Sequence, residues 1–124
     1  MKIIKRSIFF AAFLAVISMS TVSMAQVSRR QVNYENGTAT VIVQYSGDYT
    51  THTARLSGCD IYGNGINSRF GTVNLGITDW YYPGTVHSDF VHGYNKKVGK
   101  KAGTAYSQLY NYSDFIIGAN ANRN

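Results

Sequence analysis

Apolar residues are distributed along the 124-residue chain in two ways. Near the start they form one unbroken block over residues 8–17 (IFFAAFLAVI). After it they recur at alternate positions or in short clusters between turn residues. Residues 38–45 (TATVIVQY) alternate: Ala39, Val41, Val43 and Tyr45 face one way, Thr38, Thr40 and Gln44 the other, and Ile42 is the exception. Period two with β-branched enrichment predicts a strand. Ser46-Gly47-Asp48 predicts a turn. Residues 49–56 (YTTHTARL) predict the hairpin partner, with His52, Ala54 and Leu56 on one face.

Further on the signals are shorter. Asn64-Gly65 suits a tight primed turn, since both residues tolerate positive φ. Residues 70–77 (FGTVNLGI) put Val73, Leu75 and Ile77 on one face of a strand. Trp80, Tyr81 and Tyr82 form an aromatic cluster that Pro83-Gly84 closes. Residues 86–94 predict a strand with Val86, Phe90 and Tyr94 on one side, and 95–103 (NKKVGKKAG) a basic loop. Residues 104–112 fit a strand or a short helix, 112–118 a last strand, and 119–124 (ANANRN) a polar tail. Six or seven short strands separated by turn signals predict an all-β fold, a small single-domain antiparallel β-sandwich.

The unbroken block changes the picture of the first quarter. Lys2, Lys5 and Arg6 precede it, and Ser23-Met24-Ala25 follow it with small residues where a signal peptidase requires them. The block is about half the roughly 20 residues a spanning helix needs. Residues 1–25 therefore read as a cleaved signal peptide, 26–36 as a flexible N-terminal segment and 37–124 as the β domain. The expected location is extracellular, without stable membrane insertion.

Removing 1–25 lowers the formal charge from +6 to +3, because three of the twelve basic residues lie there and all six acidic ones lie beyond it. So small a charge on an exported chain argues against nucleic acid as a partner. The single Cys59 excludes an internal disulfide and suits a small buried residue or, alternatively, an intermolecular bridge. His87 and His92 are an odd number apart, so a regular strand points them to opposite faces. They read as surface or structural histidines, and no metal or cofactor is expected. No nucleophile elbow and no carboxylate pair is evident, so no catalytic residue is assigned and the chain reads as a non-enzyme.

Two features suit binding. Lys96, Lys97, Lys100 and Lys101 form a doubled K-K-x-G unit whose ammonium groups and backbone N–H groups suit phosphate. A loop kept solvated by its charge is the competing reading. Trp80, Tyr81 and Tyr82 suit sugar stacking, with core packing at a sheet corner as the alternative.

Residues 82–108 carry a resemblance. Tyr82 and Gly84 precede a His-Ser pair, His87 and Ser88. Val91, a Gly/Lys-rich stretch over 95–101, and then Ala102, Gly103 and Ala105 follow. This quarter of the chain resembles the lactococcin 972 family of secreted bacteriocins. The resemblance implies a secreted β-sandwich peptide that acts on competing Gram-positive cells by binding the wall precursor lipid II. It places ligand contact near His87, Lys96, Lys97, Lys100 and Lys101. The other expectation is a non-toxic surface protein that binds wall polymers or glycans through Trp80, Tyr81 and Tyr82. Both name a component of the cell envelope as partner.

Overall fold

The computed structural model describes residues 26–124. The predicted signal peptide, 1–25, lies outside the described residues. The domain is all-β, with ten strands among them: β1 (Val27–Tyr34), β2 (Gly37–Ser46), β3 (Tyr49–Ser57), β4 (Tyr62–Gly63), β5 (Ile66–Val73), β6 (Thr78–Tyr81), β7 (Val86–His87), β8 (Phe90–Lys97), β9 (Gly103–Asn111) and β10 (Asp114–Arg123). One antiparallel sheet has the order β1-β2-β3-β8 and the second β10-β9-β5-β6, while β4 and β7 form a small ladder of their own. Among the described residues no helix is long and apolar enough to cross a membrane.

The hairpin of β2 and β3 follows the alternation in the sequence. Ala39, Val41, Val43 and Tyr45 are buried from β2, and Thr50, His52, Ala54 and Leu56 from β3. Facing them, the second sheet buries Phe70 from β5, Leu109 from β9 and Ile117 from β10. Each such large apolar side chain contributes roughly 1.5–3 kcal/mol when fully buried. Ala105, Ser107, Ala119 and Ala121 complete the inner face of β9 and β10 with small groups. The sheets therefore come close enough for the Ser107 hydroxyl to donate to the Ile42 carbonyl, 2.8 Å away on β2.

His52 is the polar centre of this core, 1 % exposed. The Tyr106 carbonyl lies 2.9 Å from Nδ1 and can only accept, so Nδ1 carries the proton. Nε2 then accepts from the Thr50 hydroxyl at 3.0 Å. Burial pushes the imidazole below its ordinary pKa, outweighing the Tyr106 carbonyl and the Asp79 charge.

Several sequence expectations are corrected. The segment read as flexible, 26–36, is largely β1, an edge strand whose signal is weak because only one neighbour pairs with it. Glu35 and Asn36 form the primed turn after it, both with positive φ. Asn64-Gly65 is not such a turn, for neither residue has positive φ. The strand expected over 70–77 ends at Val73, and Asn74 and Gly76, both at positive φ, turn the chain into β6. Val73 is therefore exposed while Ile77 is buried. The strand expected over 86–94 breaks at Ser88, where φ is 72°. Residues 104–112 are strand, not helix, and the polar tail is the second half of β10, with Ala119 and Ala121 inward.

Candidate binding groove

Strand register builds a site on the outer face of the second sheet. Arg69 on β5 pairs with Trp80 on β6 and with Gln108 on β9, so these three side chains form one cross-strand row. Asn67 pairs with Tyr110 in the next row. Tyr82 lies one step beyond the last β5–β6 pair, on the side of Trp80. Side chains two apart on a strand share a face. Trp80 and Tyr82 therefore stand side by side, ring planes 8° apart and centroids 6.0 Å apart. Tyr110 leans on Trp80 at 5.7 Å.

Together with Tyr112 they line an open groove of ≈ 580 Å³, to which Asn64, Gly65, Asn67 and Arg69 also contribute. That volume falls within the usual range for small-ligand sites. Tyr112 forms a wall because Gly65 has no side chain where its ring lies. The Tyr112 hydroxyl donates to the Asn64 side-chain carbonyl at 3.0 Å, which fixes the ring. Trp80 is 42 % exposed and Tyr82 64 %, so both present ring surface to solvent.

The residues singled out in the sequence are divided among four places. Trp80 and Tyr82 belong to the groove. Tyr81 points the other way and stacks on His92, centroids 4.1 Å apart, where the edges of β6 and β8 face each other. His92 has Phe70 on its opposite face and Asp79 3.7 Å from Nε2. His87 lies beside β4, its ring edge-on to Tyr62. Lys96 and Lys97 end β8 opposite Thr50 and Tyr49. From Phe90 to Lys97 the strand runs roughly 23 Å at about 3.3 Å per residue, so His87 and the lysines lie at opposite ends of the sandwich.

At the lysine end, the loop does not offer all the backbone donors expected of it. The N–H groups of Val98 and Gly99 both donate to the Asp48 carbonyl, at 2.7 and 3.0 Å. The Lys100 ammonium pairs with the Asp48 carboxylate at 3.2 Å on the exposed surface, a contact worth little in water.

Sequence reasoning missed Asn67, Arg69, Tyr110 and Tyr112. The alternation of Tyr106, Gln108 and Tyr110 against Ala105, Ser107 and Leu109 was the available signal for the third wall, and it disappears when 104–112 is left open between strand and helix. No protein-family model matches the chain, nor does any curated protein or solved structure.

Proposed function

We propose that the chain is an exported binding domain whose aromatic groove takes a saccharide of the cell envelope. The observation that carries this reading is the exposed, near-parallel pair Trp80 and Tyr82 along an open groove. Pyranose rings present apolar C–H faces that stack on such rings, while their hydroxyl groups meet polar groups at the rim. Tyrosine hydroxyls and Asn64 supply that polar rim. Trp80 is the single tryptophan, so its fluorescence reports on the groove directly. Titration of residues 26–124 with solubilised wall saccharides is expected to change that emission. Pull-down on isolated walls is expected to fail for Trp80→Ala and Tyr82→Ala. Retention of both variants on walls, as strong as the parent, would overturn the reading.

A second reading follows from the clustering of Lys96, Lys97, Lys100 and Lys101 at one end of the fold. There the chain acts as a bacteriocin-like antagonist that holds an anionic wall precursor. It requires growth inhibition of Gram-positive cells by residues 26–124, relieved by added lipid II and lost when the four lysines become glutamine. Purified folded protein that leaves a panel of such cells unaffected at micromolar concentration would exclude it.

A further inference from the structure

We infer that the groove selects a saccharide bearing a carboxylate, with Arg69 as the residue that reads the charge. This rests on the saccharide reading above and names its ligand class. The Arg69 guanidinium lies 4.9 Å from the centre of the Trp80 ring and 5.7 Å from that of Tyr106. Tyr106 can reach it because Gly71 has no side chain; a Cβ there would meet the Tyr106 ring. Two aromatic rings thus hold a flat cation in place by cation–π contact.

Arg69 has no counter-charge of its own. Among the described residues the ion pairs are His92 with Asp79 and Lys100 with Asp48, and neither involves it. No Asp or Glu lines the groove. The buried Nε of Arg69 has no hydrogen-bond partner.

Asn67 adds a second unmet group beside it. The side chain is 2 % exposed. Its Nδ2 donates to the carbonyls of Gly65 and Tyr112, at 3.0 and 3.2 Å, which fixes the orientation of the amide. Oδ1 is left with no donor. A planar guanidinium fork matches a planar carboxylate with two parallel hydrogen bonds. A sugar stacked on Trp80 and Tyr82 would present its carboxylate to the Arg69 guanidinium. One fixed cation suits a single carboxylate better than a densely sulfated polymer.

The test compares free acids with their methyl esters, which keep the sugar skeleton and remove the charge. Oligogalacturonate and hyaluronan oligosaccharides, each as acid and as ester, are titrated into residues 26–124 and followed by Trp80 emission and calorimetry. At least one acid is expected to bind about tenfold tighter than its ester, the scale of a charge-assisted bidentate contact. In Arg69→Gln that preference is expected to fall to within about twofold while the ester still binds. Arg69→Lys, which keeps the charge and loses the fork, is expected to fall between the two. Replacing the four lysines with glutamine is expected to leave the preference intact. Equal binding of acids and esters by the parent, or a preference that survives in Arg69→Gln or vanishes with the lysines, overturns this inference and leaves the saccharide reading standing. Failure of every acid and ester to bind, or binding indifferent to Trp80→Ala, overturns both.

Discussion

The guanidinium of Arg123 lies over the ring of Tyr45, 4.5 Å from its centre, and ties the last strand to the end of β2. The same group donates to the carbonyls of Gly47 and Gly99, each at 2.6 Å, and to Lys101 at 3.0 Å. Two loops at the lysine end, the β2–β3 turn and the β8–β9 loop, are thus held by one side chain. Arg123→Ala is expected to lower stability by about 2 kcal/mol, since hydrogen bonds from a charged donor each contribute roughly 1.5–3 kcal/mol. Urea unfolding of residues 26–124 measures it. An unchanged midpoint would show that the clamp is ornamental in solution.

His52 makes stability depend on pH. Its folded pKa is depressed by burial, so the folded protein keeps it neutral while the unfolded chain takes up a proton below about 6.5. The unfolded state binds more protons in that window, and stability rises with pH there. The contribution is complete above pH 6.5 and declines as pH falls below it, by at most about 1.4 kcal/mol per pH unit. Unfolding midpoints at pH 7.5, 6.5 and 5.5 should fall in that order. His52→Gln should flatten the trend, and an identical slope in that variant would place its origin elsewhere.

Gly65 and Tyr112 form a steric lock on the groove. A Cβ at residue 65 would stand 2.5 Å from the ring carbons Cδ2 and Cε2 of Tyr112. The Tyr112 backbone is already at φ 53° and has little room to yield. Gly65→Ala is expected to push the ring aside, at a cost of about 1–3 kcal/mol for overpacking. Saccharide affinity should fall with it. If the variant binds as tightly as the parent, the Tyr112 wall is not part of the site.

Cys59 is 2 % exposed and unbonded to another cysteine among the described residues. Burial pushes its thiol up, against weaker pulls from the Ser57 and Thr38 carbonyls. A thiolate is the reactive form. Ellman's reagent at pH 8 should therefore leave native residues 26–124 unlabelled and titrate one thiol per chain in urea. Prompt labelling of the native protein would support the alternative of an intermolecular bridge.

Legibility in the sequence follows exposure. The β2–β3 hairpin could be read almost to the residue because one face of each strand meets the core and the other meets water, which is what alternation records. Within β5, Ile66, Asn67 and Ser68 are buried in succession, since the core covers one face and aromatic side chains such as Tyr112 cover the other. Two covered faces erase the period, so this central strand was read four residues late. The second half of β10 escaped for another reason: Ala119 and Ala121 are small because the sheets approach closely there, and among asparagines they read as a polar tail.

The sequence by itself determined the all-β class and the central hairpin with its buried face. These are local properties, set by period two and by turn chemistry within about ten residues. Only the tertiary structure decided that Tyr81 leaves Trp80 and Tyr82 for His92, that His87 and the lysines lie at opposite ends, and that Arg69, Tyr110 and Tyr112 join Trp80 in one groove. Those placements depend on register between β5, β6 and β9. Register is fixed by which faces the core buries across long stretches of chain, a cooperative choice that no local window records.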